Sequence, residues 1–186
     1  RATVPSMPVP PVAWLAATKK TDPMKDPSTW YAEYRSVLDR VGWVVEAFTF
    51  SPFNPRQAFT LRDVVAARGD PSDVATVEVL AGLPADAPAV LTFDRDSHDA
   101  YACAFHTGSV TRSTDGLTAR LTSYTVSTTV EIADPVLSFE FTPATTQVAT
   151  STQQIRLNEK VYATAREAVQ EKLGYVTCRY LHEFGG

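Results

Sequence analysis

The residues best placed to do chemistry lie in Phe93-Asp-Arg-Asp-Ser-His-Asp99, which sets Asp94, Asp96, His98 and Asp99 within six positions. Carboxylates at alternate positions can enclose a calcium ion, which takes several oxygen ligands. The stretch departs from an EF-hand loop. His98 stands where a third carboxylate or amide belongs, no glycine follows, and Phe105 replaces the closing glutamate. A solvated turn between two strands accounts for the same charges without an ion. The expectation is therefore no metal and no bound cofactor.

Other chemistries find less support. His98, His106 and His182 are the histidines, and neither H-E-x-x-H nor C-x-x-C occurs, which argues against a zinc site. Cys103 and His106 suggest a thiol–imidazole pair, but on a strand these positions point to opposite faces. Serines and threonines are plentiful, yet no G-x-S-x-G elbow marks one as a nucleophile. The 8 glycines form no phosphate-binding loop. Arg68-Gly69-Asp70 is the tripeptide that integrin ligands use, but it falls where a helix should end. No catalytic residue is assigned.

The elements around these residues are clearer. Val37-Leu-Asp-Arg-Val-Gly-Trp-Val-Val returns as Val169-Gln-Glu-Lys-Leu-Gly-Tyr-Val-Thr. Each copy reads as a helix, a glycine and an aromatic-led strand. Glycine takes the left-handed conformation that ends a helix without a Cβ penalty. Asp26 and Pro27 are the N-cap and first residue of the earlier helix, with Trp30, Tyr34, Val37, Leu38 and Val41 on one face. Trp43 to Phe50 follows as a strand.

Thr60, with Asp63 three residues on, predicts a capped helix through Ala67. Gly69-Asp70-Pro71 ends it, and Asp73 to Leu83 reads as another, with Val74, Val77, Leu80 and Ala81 inward. Beyond the linker 84–88 the pattern turns to strand at 90–93, 100–107, 117–132 and 136–142. Alternation in 124–132 and 137–141 predicts a hairpin about Ala133-Asp134-Pro135. Residues 142–154 read as a polar edge strand or a loop. Asn158 caps a last helix with Val161, Ala165, Val169 and Leu173 as its stripe, and a strand over 175–181 closes the chain.

The fold class that follows is α+β: an antiparallel sheet or sandwich of about six to eight strands, a mixed sheet left open, packed by an N-terminal and a C-terminal helix. The domain reading is an extended Pro-rich arm over 1–25 and a single domain over 26–186. Prolines 5, 8, 10, 11, 23 and 27 crowd the start. Val9, Val12, Trp14 and Leu15 give this arm apolar groups to bury, and they are the expected interaction residues.

Net charge is −4, which argues against a nucleic-acid partner. No apolar run reaches the roughly 18–20 residues of a membrane span. No signal peptide is read in the chain as given, and an upstream segment is left open. Cys103 and Cys178 are either buried thiols or a disulfide, so secreted and cytoplasmic settings both stand. The functional expectation is a non-enzymatic interaction protein that binds other copies of itself through the arm and the polar strands. The alternatives are a secreted toxin or pore-former and a hydrolase with a non-local site.

Overall fold

The computed structural model describes residues 26–169, together with residues 13, 16, 17, 19–21 and 171. The chain divides into two compact units, residues 45–155 and residues 1–44 with 156–186. The architecture is α+β. Helix α1 spans Pro27–Arg40, strand β1 Trp43–Phe53, helix α2 Leu61–Arg68, α3 Pro71–Ala81 and α4 Pro88–Ser97. Strands β2 Ala102–Ser113 and β3 Gly116–Thr128 follow, then a short 3-10 turn Val136–Ser138 and strand β4 Thr146–Leu157. Residues 159–169 are helical. The described strands form one antiparallel sheet in the order β1-β4-β3-β2.

In the unit 45–155 the β2–β3 hairpin sets the geometry. Its register runs from Ala102↔Ser127 to Ser113↔Gly116, so Cys103 and Phe105 face the same way as Val126 and Tyr124. These four join Leu61, Val64, Val65, Val77, Ile132, Val136, Leu137 and Phe141 in one core. The ring of Phe105 stacks on Tyr124 at 4.8 Å between centroids and meets Phe93 of α4 edge-on at 5.5 Å. Two capping boxes start the helices that cover this face. Thr60 and Asp63 exchange bonds at the head of α2, as do Asp70 and Asp73 at the head of α3. Each satisfies backbone N–H groups that a helix start leaves without intrahelical acceptors.

In the other unit Asp26 caps α1 by accepting from Thr29 N, and Trp30 stacks on Tyr34 at 5.2 Å. The helix ends at Gly42, whose φ of +90 is open to glycine and costly for other residues. Its carbonyl accepts from Asn158 N at 2.7 Å, joining the end of α1 to the start of the last helix. Asn158 Oδ1 then accepts from Lys160 N and Val161 N as the N-cap.

Several expectations change. Residues 90–93 are helical within α4, not a strand. Val90, Asp94 and Ser97 are its buried positions, a helical spacing, and Pro88 fixes its first turn. A short apolar run alone does not separate the two states. Val136–Ser138 is a 3-10 turn, and beyond it Phe141 makes only an isolated bridge to Phe59. Val136 and Leu137 are both buried in the core at this turn. The hairpin is therefore β2–β3 rather than one about Ala133-Asp134-Pro135, and the described residues hold four strands rather than six to eight. Of the polar stretch 142–154, expected as an edge strand or a loop, residues 146–154 lie in β4, which sits between β1 and β3.

Smaller departures concern the helices at the two ends. Val161 is exposed, while Val169 is buried as expected. Where the first 25 residues are described, positions 13, 16, 17, 19 and 20 are helical rather than extended. Ala13 and Ala17, four apart, are buried there, the spacing of one helix face. Val9, Val12, Trp14 and Leu15 lie outside the described residues. So do Leu173, Gly174, Cys178 and the strand expected over 175–181. Among the described residues no helix is long and apolar enough to cross a membrane.

Candidate functional site

The end of α4 gathers the chemistry. Asp94 is 5% exposed because the helical period puts it on the face shared by Val90 and Ser97. One oxygen of its carboxylate, Oδ1, accepts from Val136 N at 3.0 Å, which fixes the start of the 3-10 turn. His98 ends the helix in extended conformation and bridges Cys103. Asp99 turns the chain, its Oδ1 accepting from Tyr101 N and Ala102 N at 2.9 and 2.8 Å. Ile132 N donates to Ala100 O at 2.8 Å, which brings the segment after β3 alongside this turn.

That segment carries Asp134. Its Oδ1 lies 2.7 Å from His98 Nε2, while His98 Nδ1 lies 3.0 Å from the Asp99 carbonyl. Asp94, His98 and Asp134 each offer a ligand atom within 4.8 Å of the others. Burial pushes the Asp94 carboxyl above the usual carboxylate range. The Val136 N–H draws it back, and the Asp134 charge adds to the rise.

The sequence pointed to Asp94, Asp96, His98 and Asp99 together, and the structure selects among them. Asp94 and His98 meet. Asp96 faces away and pairs with Arg95, and Asp99 is spent on the turn. Asp134 was missed because it lies 36 residues beyond His98. Its only local signal was the Asp134-Pro135 turn, and a turn residue does not reveal what it turns toward.

Two nucleophile readings can be placed. Cys103 is a free, buried thiol, and burial pushes it up to about 12 against the opposing pull of the Ser97 hydroxyl. It is a packing residue of the core rather than a nucleophile. His106 stands opposite Ser123 across the hairpin, with Ser123 Oγ 2.7 Å from His106 Nδ1. Burial lowers His106 to about 3. A general base works best with a pKa near the working pH, so this imidazole is a weak base for the serine.

Arg68-Gly69-Asp70 is built into the scaffold. Arg68 Nη2 donates to Pro52 O at 2.8 Å and lies over the Phe53 ring. Asp70 caps α3 and pairs with Arg120 at 2.9 Å. The same guanidinium reaches Asp73, which is buried, at 3.1 Å. Ser109 and Thr122 complete this network by donating to Asp70 and Asp73. The Ser72 hydroxyl first, then the Asp73 backbone N–H and Arg120, hold the Asp70 carboxyl below its usual range against desolvation.

β1 presents a different feature. Glu46, Phe48 and Phe50 share one face of the strand, with Phe48 50% and Phe50 62% exposed. The alternate positions 47 and 49 are exposed as well.

No family model matches the chain, and no curated protein matches it. Among solved structures it has a likeness to the Evf virulence factor, at 11% identity and a TM-score of 0.28. The match covers 90% of this chain and 70% of that one. A likeness of that size carries no argument about fold or role.

Proposed function

We propose that the protein is a non-enzymatic interaction protein that binds a second copy of itself. The observation that supports this reading is the exposure of Phe48 and Phe50, side by side on one face of β1. Fully burying an aromatic side chain of this size stabilises by about 1.5–3 kcal/mol, so two rings left half in water form a surface that gains by being covered. Glu46 is the single charged residue of β1. A surface with one charge suits an equally apolar partner, and every copy of the chain carries such a surface. An isologous contact, in which the same patch meets itself, follows from that self-complementarity. The arm residues Val9, Val12, Trp14 and Leu15 add apolar groups to the same assembly.

Light scattering on the full chain, with a Phe48→Ser, Phe50→Ser variant alongside, tests the reading. The expected result is a dimer or larger species for the wild type and a folded monomer for the variant. A wild-type protein that is monomeric at every concentration overturns it. Leakage of lipid vesicles by that monomer would favour the pore-forming alternative instead.

A further inference from the structure

We propose that Asp94, His98 and Asp134 form a binding site for a divalent first-row metal ion of the zinc class. Three features of the geometry lead there. The first is the tautomer of His98. Its Nδ1 faces the Asp99 carbonyl at 3.0 Å, and a carbonyl oxygen only accepts, so Nδ1 carries the proton. That is the arrangement of metal-binding histidines, which donate one ring N–H to a backbone carbonyl and turn the other nitrogen to the ion. The remaining nitrogen, Nε2, is the one aimed at Asp134, 2.7 Å from its Oδ1.

The second feature is Asp94. One oxygen of this nearly buried carboxylate is taken by Val136 N, and the carboxylate lies within 4.8 Å of the His98 and Asp134 ligand atoms. Burial of this carboxylate costs free energy, and a cation beside it offsets that cost. The third is the charge of the set. Two carboxylates and one imidazole within 4.8 Å remain net negative even with the imidazole protonated. One imidazole nitrogen with two carboxylate oxygens suits zinc, manganese or cobalt better than magnesium, which keeps an all-oxygen octahedral shell with several waters. Asp134 is 68% exposed on its side chain, which gives an ion access from solvent and leaves room for water as a further ligand.

The test uses the full chain, stripped with a chelator and titrated with Zn²⁺ by calorimetry and with Co²⁺ by visible absorption. The variants are Asp134→Ala, at an exposed side chain, and His98→Gln, each checked for native folding by circular dichroism. The expected result is one equivalent of Zn²⁺ bound by the wild type and a visible Co²⁺ band. Each variant should weaken this affinity by about tenfold or more, and added Zn²⁺ should raise the melting temperature of the wild type alone. The proposal is overturned if the wild type binds neither ion, since His98 and Asp134 are then a plain ion pair. It is equally overturned if Asp134→Ala binds Zn²⁺ as the wild type does, which would place the ion elsewhere.

Discussion

Replacing Gly42 by alanine should be far more damaging than replacing Gly116, although both glycines have positive φ. The values are +90 and +117. An L-residue held at positive φ costs about 1–2 kcal/mol, and both variants incur that. A Cβ on Gly116 meets nothing within 4 Å. A Cβ on Gly42 falls 2.9 Å from Asn158 O and 2.9 Å from Tyr162 N, with Val161 Cβ at 3.2 Å. Those first two atoms are themselves hydrogen-bonded at 2.9 Å in the opening turn of the last helix. The methyl group therefore wedges into that bond, and overpacking of this kind adds about 1–3 kcal/mol. The totals are about 2–5 kcal/mol for Gly42→Ala and about 1–2 kcal/mol for Gly116→Ala. Urea denaturation followed by far-ultraviolet circular dichroism measures the difference, because both the unit that contains Gly42 and the unit that contains Gly116 contribute to that signal. A gap of about 2 kcal/mol corresponds to a melting temperature lower by about 4–8 °C. Equal losses for the two variants would refute the steric part of this reasoning.

Arg120→Leu should destabilise by about 3 kcal/mol, because it strands the buried Asp73 carboxylate without its guanidinium, whereas Arg120→Lys should recover part of the loss; chemical denaturation decides, and a change near zero contradicts the network's role. His106 makes stability depend on pH. Its folded value is lowered to about 3 while the unfolded chain titrates near its ordinary 6.5, so below about 6.5 the unfolded state takes a proton that the folded state declines. Stability should fall as pH drops from 7 to 5 by at most about 2 kcal/mol, and by about 1 kcal/mol allowing for the ring's partial access to solvent, and His106→Gln should flatten that part of the profile.

What could be read from the sequence was governed by local rules. The box of Thr60 and Asp63, the cap at Asp26 and the stop at Gly42 each need only a few neighbouring residues, and all three stand as expected. The misread elements were those decided by distant partners. Val90–Phe93 is compatible with strand or helix until Pro88 and the burial of Asp94 and Ser97 are weighed together. β4 is rich in threonine, serine and glutamine, yet strands flank it on both sides and Thr150 and Gln153 are buried. Polarity marked it as an edge strand or a loop, but its neighbours decided its place. The site followed the same division, since Asp94 and His98 lie on one helix turn while Asp134 arrives from the far end of the hairpin.

The strand order also fixes a timetable for biosynthesis. Thr150 of β4 donates to the carbonyl of Ser51 in β1, 99 residues earlier in the chain. At about 5–20 residues per second, β1 leaves the ribosome about 5–20 seconds before the strand that pairs with it exists. The β2–β3 hairpin closes over a two-residue turn and forms on a scale of about 1–10 μs, so it waits as a preformed half-sheet. β1, with Phe48 and Phe50, spends that interval as an unpaired sticky segment in the nascent chain.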